Sequence, residues 1–258
     1  MFEKIKCFIL DMDGTIYLGN ELFSFTKEFL KKVDETGRKY YFFTNNSSKS
    51  QQDYIVKLER FGIRIKRQQM MTSTHVISRY LKQHYEGKSV YVVGTPSLIQ
   101  EFQYFDMNLT EEDPDIVVLG FDTTLTYEKL SKACHYIRNG CIYFGINPDW
   151  NCPMEGGAFI PDCGSIAKLI EASTGRFPEF FGKPSKHTLD YIIQQTGYEP
   201  DEIAIVGDRL YTDIAVADQS DVTSILVLSG ESTREDVKTS DVKPNVILED
   251  LSEITKML

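Results

Sequence analysis

The sequence predicts an α/β protein built on a parallel sheet, with a second α/β domain inserted into the first. Three observations carry this. Short apolar runs of strand length each end in a polar cluster, helical periodicity fills the stretches between them, and the pattern restarts partway along the chain before resuming. Cys7 to Leu10 form the first such run. An uninterrupted apolar strand of this kind suits a parallel sheet covered on both faces. It stops at Asp11-Met-Asp-Gly-Thr, two carboxylates spaced two apart. Residues i and i+2 of an extended chain point to the same side, so Asp11 and Asp13 can converge on one small volume while Gly14 lets the backbone turn away. Taken alone, such a pair reads either as a polar turn or as a site for a hard cation with oxygen ligands, Mg²⁺ above all.

Residues 16 to 22 read as a loop or flap, and Phe25, Phe29, Leu30 and Val33 recur at helical spacing up to the stop at Gly37. Tyr40 to Phe43 make a second apolar strand, closed by Thr44-Asn45-Asn46-Ser47-Ser48. A helix carrying Tyr54, Ile55, Leu58 and Phe61 then runs to Gly62. From about Thr72 the alternation starts afresh: a helix over Val76 to His84, strands at Ser89 to Val93, Asp115 to Phe121 and Ile142 to Ile146, and a helix over Ile166 to Ser173. This is enough chain for a domain of its own. The first pattern resumes at Phe180-Phe-Gly-Lys183-Pro-Ser, with a helix through Leu189, Ile192 and Ile193. A strand from Glu202 to Val206 follows and ends in Gly207-Asp208-Arg-Leu-Tyr-Thr-Asp213-Ile. Ser224 to Leu228 adds another buried strand, and Val246 to Met257 a short strand and a closing amphipathic helix. The expected division is a core of 1–71 and 180–258 and an inserted domain of 72–179, with joints near Thr72 and near Arg176 to Glu179.

The chain has 258 residues, 41% of them hydrophobic and 12% aromatic, which is ample for a sizeable core. A net charge of -10 argues against nucleic acid and anionic membrane as partners, since both select basic surfaces. The apolar run after Lys6 is far too short for a signal peptide or a membrane span, so a cytoplasmic protein is expected. Cysteines 7, 134, 141, 152 and 163 form no Cys-x-x-Cys pair and read as reduced thiols. The four histidines show no metal-binding spacing.

Four polar clusters therefore fall at carboxyl ends of expected parallel strands, where ligands of such sheets bind. They are Asp11 with Asp13, Thr44 with Asn45, Lys183, and Asp208 with Asp213. Their order resembles the four motifs of the haloacid dehalogenase-like (HAD) hydrolase superfamily. More narrowly, Phe43-Thr-Asn-Asn-Ser-Ser, Gly182-Lys-Pro-Ser and Gly207-Asp-Arg-Leu-Tyr-Thr-Asp-Ile are similar to subfamily IIA, the NagD-like and para-nitrophenylphosphatase-like branch. The resemblance implies a Rossmann-like core with a C2-type α/β cap controlling substrate selection. It fades after Ile214, where Ala217 and Ser220-Asp221 stand in place of the branch's glycine and Ala-Gly pair.

What the resemblance implies agrees with the chemistry of the residues. Asp11 is the expected nucleophile, giving an aspartyl-phosphate. Asp13 is the expected general acid and then base. Mg²⁺ is expected on the Asp11 carboxylate, the Asp13 backbone carbonyl and Asp208, with Asp213 in support. Thr44, the Asn45 amide and Lys183 are expected on the phosphoryl group. In the cap, Asn147, Asp149, Trp150, Asp162 and Cys163 are candidates for substrate contact, Trp150 being as well suited to core packing. The implied activity is Mg²⁺-dependent hydrolysis of small phosphomonoesters: sugar phosphates, nucleoside monophosphates and, in vitro, aryl phosphates. A phosphometabolite-binding sensor without chemistry and a phosphoryl-transferring mutase are the alternatives. The branch allows a homodimer through the cap, although no stripe in the sequence marks one.

Overall fold

The computed structural model describes residues 2–154 and 157–258. The chain opens with β1 (Cys7–Leu10), a small hairpin of β2 (Tyr17–Leu18) and β3 (Glu21–Leu22), α1 (Thr26–Glu35), β4 (Lys39–Thr44), α2 (Gln51–Arg60) and β5 (Met70–Thr72). It continues with α3 (Ser73–His84), β6 (Val90–Val93), α4 (Pro96–Tyr104), β7 (Ile116–Leu119), α5 (Tyr127–Arg138), β8 (Ile142–Gly145), a hairpin of β9 (Asn151–Pro153) and β10 (Phe159–Pro161), α6 (Cys163–Thr174) and β11 (Glu179–Phe180). It ends with α7 (Lys186–Thr196), β12 (Ile203–Gly207), β13 (Thr223–Val227), α8 (Arg234–Thr239), β14 (Val246–Leu248) and α9 (Leu251–Met257).

Two compact units result. One holds the chain up to Thr44, Ile55–Met71 and Lys183–Leu258; the other holds Asn45–Tyr54 and Thr72–Gly182. In the first, a sheet of order β14-β13-β12-β1-β4-β5 has β1 between β4 and β12, parallel to both. Its strands are apolar throughout because both faces are covered: Cys7, Phe8, Ile9 and Leu10 are all buried, as is every residue of β12. The ring of Phe8 meets that of Phe29 edge to face, which fastens α1 to the sheet by the residues that set its helical spacing.

The second unit has its own sheet, β11-β8-β7-β6, with every neighbouring pair parallel. Its core gathers Tyr91, Val93, Val117, Leu119 and Phe121 from the sheet side with Ala133, Cys134, Ile137, Cys163, Ile166 and Ile170 from α5 and α6. Two features differ from the sequence expectation. The segment 45–54 belongs to this unit, and the chain leaves it only after Gly182. The reason for the later exit is β11, which adds Glu179 and Phe180 to the edge of β8 where the sequence suggested a linker. All five cysteines are free thiols. Among the described residues, no helix is long and apolar enough to cross a membrane.

Candidate active site

The register of the core sheet assembles the first cluster. Leu10 stands opposite Phe42 on β4 and Val206 on β12, so Asp11 comes level with Phe43 and Gly207, next in the chain to Thr44 and Asp208. The Asp11 amide donates to the Val206 carbonyl at 2.8 Å, which holds the start of the loop against β12. The turn that follows requires Gly14. Its φ is +83°, and a Cβ at that position would lie 2.3 Å from an Asp208 carboxylate oxygen. The Gly14 amide donates to the Tyr17 carbonyl at 2.8 Å, and Gly19 donates to Asp13 Oδ1 at 3.3 Å, so the flap hairpin orients the second aspartate.

Lys183 lies buried at the centre. Its Nζ donates to Asp11 Oδ1 at 2.6 Å, to Asp213 Oδ1 at 2.5 Å and to the Phe43 carbonyl at 3.4 Å. Burial works against the charge on Lys183, but the Asp11 and Asp213 carboxylates outweigh it and hold the ammonium above its usual range. Asp11 is pushed up to about 7, chiefly by burial and next by the charge of Asp213, with Lys183 pulling the other way. Asp208 is raised by burial and by the charges of Asp11 and Asp213. Asp13 is raised by burial, against the opposing charge of Lys57. Surplus negative charge has thus been collected where one lysine cannot neutralise it.

Oxygens of Asp11, Asp208 and Asp213 lie within 4.8 Å of one another, a spacing that could hold a cation. The hydrogen bonds separate the three. Asp213 gives one oxygen to Lys183 and the other to the Arg209 amide at 3.1 Å, so its carboxylate is already used. Asp208 accepts from the Glu231 amide through Oδ2 at 2.7 Å, while its Oδ1 is buried and has no hydrogen-bond partner among the described residues. A buried carboxylate oxygen in that condition is costly unless a cation meets it. The donor set therefore fits a hard divalent ion between Asp208 and Asp11, while Asp213 is bonded to Lys183.

Several contributors carry no sequence signal. Gly230 lies beneath Asp208, where a Cβ would come within 2.0 Å of its Oδ2. Glu231 pairs with Arg209 at 3.0 Å and accepts from the Tyr211 hydroxyl at 2.7 Å. The loop after β13 meets the Asp208 loop only in space, so a single sequence offers no spacing by which to find it. Lys57 Nζ lies 3.7 Å from the Tyr17 ring centroid, a cation–π pair in the flap.

Sequence matches agree with this geometry. Residues 8–108 match the model of the haloacid dehalogenase-like hydrolases, and residues 180–254 match that of the HAD-hydrolase-like group. An acid sugar phosphatase of Staphylococcus aureus is 33% identical over 252 residues, 97% of each chain. The chain belongs to the haloacid dehalogenase-like hydrolases. Within them it falls among the NagD-like phosphatases of subfamily IIA. A 4-nitrophenylphosphatase from Thermotoga maritima superposes with a TM-score of 0.95 at 42% identity, covering 99% of this chain and 98% of that one. NagD from Escherichia coli K-12 superposes at 0.88 with 31% identity, covering 96% and 98%. The inserted unit is thus the cap of a HAD hydrolase.

Within the cap, the five candidate residues divide. Asn147, Asp149, Asp162 and Cys163 are buried. Asn147 Nδ2 donates to Asp149 Oδ2 and to Asp162 Oδ1, each at 2.9 Å, and Asp162 caps α6 at the Cys163 amide. The Cys163 thiol packs in the cap core, where burial pushes its pKa well up. Trp150 is 50% exposed. Asn45, the neighbour of Thr44 at the end of β4, belongs to this unit, and its Nδ2 donates to Asp149 Oδ2 at 2.9 Å.

Proposed function

We propose that this chain is a Mg²⁺-dependent phosphatase of small phosphomonoesters, sugar phosphates foremost, working through an aspartyl-phosphate. The observation that carries the reading is the Asp11, Lys183 and Asp208 cluster, in which the buried Asp208 Oδ1 lies among carboxylates spaced to hold a cation. The printed names of the relatives, acid sugar phosphatase and 4-nitrophenylphosphatase, support the substrate class.

Asp11 attacks phosphorus, the bond to the leaving oxygen breaks, and Asp13 gives that oxygen a proton. Water then attacks the same phosphorus and passes its proton to Asp13. The bond to Asp11 breaks, inorganic phosphate leaves and both aspartates are restored. Burial favours the protonated form of Asp13, which suits it to the first half. Asp11, Asp208 and the Asp13 carbonyl would hold Mg²⁺, which supplies positive charge to offset repulsion between nucleophile and substrate. Thr44, the Asn45 amide and Lys183 hold the phosphoryl oxygens.

The cap selects the leaving group. With Asn147, Asp149, Asp162 and Cys163 committed to the interior, that contact falls to Trp150 and to the exposed Phe159 at the β9–β10 hairpin. The test is release of nitrophenol from an aryl phosphate with Mg²⁺, with EDTA, and by Asp11→Asn. Turnover lost with EDTA, and lowered by about four orders of magnitude in the variant, is the expected result. Turnover that survives the substitution overturns the reading.

A further inference from the structure

In an open parallel sheet the carboxyl strand ends form a crevice in which ligands bind. The cap has such a crevice, and the chain itself fills it. Segment 45–50, which follows Thr44 directly, is held by the end of every one of the three longer cap strands. After β6, the Thr95 hydroxyl donates to the Ser48 carbonyl at 2.8 Å. After β7, the Phe121 amide donates to Ser47 Oγ at 2.8 Å. After β8, Asn147 Oδ1 accepts from the same Ser47 hydroxyl at 2.7 Å. Ser47 is fully buried and both donates and accepts, so its position is fixed in two directions.

The same hold reaches Asn45. Its side chain donates to Asp149, and its carbonyl accepts from Ser73 Oγ at 2.8 Å. Gly182, the last cap residue before Lys183, packs so close that a Cβ there would lie 2.7 Å from Asn45 Oδ1 and 2.9 Å from the Ile146 carbonyl. The chain first enters the cap at Asn45 and finally leaves it at Gly182, and these two residues lie side by side near the end of β8.

We propose that Ser47 and Thr95 are positioning residues for the Asn45 amide: they fix the strap 45–50 in the cap crevice, and so fix the backbone at Asn45, to whose amide the phosphatase reading gives a phosphoryl oxygen. This rests on the phosphatase reading only for the role of that amide. Neither residue touches substrate. Loosening the strap weakens the hold on phosphate, while the aspartates and the metal site, built wholly from the core, keep their chemistry.

Two matched pairs of variants test it in the full-length, Mg²⁺-loaded protein. Thr95→Val removes the grip on Ser48 together with an α4 N-cap, whereas Thr126→Val removes only the equivalent cap of α5. Ser47→Ala removes the strap's two-way bond, whereas Ser89→Ala removes a comparable pair with Asp115 at the opposite end of β6. The readouts are inorganic phosphate affinity by calorimetry, KM and kcat on an aryl phosphate, and melting temperature. Thr95→Val and Ser47→Ala are expected to weaken phosphate binding and raise KM about fivefold or more, roughly the worth of one hydrogen bond, with kcat changed less. Thr126→Val and Ser89→Ala, at similar loss of melting temperature, leave both unchanged. Equal phosphate affinity in test and control variants overturns the proposal. If Ser47→Ala does not fold, the threonine pair decides. A wild type that binds phosphate without hydrolysing esters sinks the phosphatase reading alone, since the affinity ratio still judges the strap.

Discussion

The two parallel sheets of this molecule end in opposite ways. At the carboxyl ends of the core strands, charge is gathered: Asp208 Oδ1 has no hydrogen-bond partner among the described residues, and Asp11 is pushed up to about 7 by burial and by Asp213. At the carboxyl ends of the cap strands, the side chains of Ser47, Asn147, Asp149 and Asp162 bond to one another and to nearby main chain. One topology thus gives two outcomes. A crevice lined with like charges is costly empty and is suited to a cation and an anionic ester. A crevice filled by the protein's own backbone is a fixed joint.

The comparison breaks first at Lys183. Lys183→Met leaves Asp11 and Asp213 buried without their cation, so kcat/KM should fall about 10²- to 10³-fold. Stability should drop by about 3–5 kcal/mol. A thermal melt together with aryl phosphate kinetics checks this, and a variant as stable as wild type would show that the core ends are not strained by charge.

Gly230→Ala sharpens the metal side of the comparison. The added Cβ would come within 2.0 Å of Asp208 Oδ2 and displace the carboxylate. Mg²⁺ affinity should weaken about 10- to 100-fold, measured as the Mg²⁺ dependence of activity and of melting temperature. Trp150→Ala addresses selection: half-exposed, the side chain should cost less than about 0.5 kcal/mol in stability. The kcat/KM ratio between an aryl phosphate and a small sugar phosphate should nevertheless shift roughly tenfold. An unchanged ratio would move selection elsewhere on the cap.

The smallest effect is on pH. A carboxyl raised above its unfolded value favours folding when protonated, so its contribution declines as pH rises from the unfolded value near 4 towards 7. In EDTA, wild type and Asp11→Asn should melt together near pH 4, and wild type should melt lower above pH 7. Mg²⁺ should close that gap. A difference independent of pH would show that Asp11 is not the group penalised.

Much of the core could be read from sequence because parallel strands covered on both faces are short apolar words. Cys7 to Leu10 and Ile203 to Val206 are examples, the first stopping at Asp11 and the second one residue short of Asp208. The cap was read less fully. Helix α5 carries Lys, Ser and Ala among its apolar positions, β11 is two residues long, and β9 and β10 are three each, too short for any period to show. The role of segment 45–50 was out of reach for another reason. Its partners Thr95, Phe121 and Asn147 lie 47, 74 and 100 residues from Ser48 or Ser47, and no local pattern encodes such pairings. The same holds for Gly230 and Glu231 beneath Asp208.

That segment 45–54 packs with the cap has a consequence for recombination. An exchange of caps between relatives cut at Thr72 and Gly182 would set a foreign crevice against a native insert, with hydroxyls, amides and carbonyls facing the wrong counterparts. The transferable module is discontinuous. A working chimaera must carry residues 45–54 along with 72–182, and the smaller of these two pieces decides whether the larger one fits.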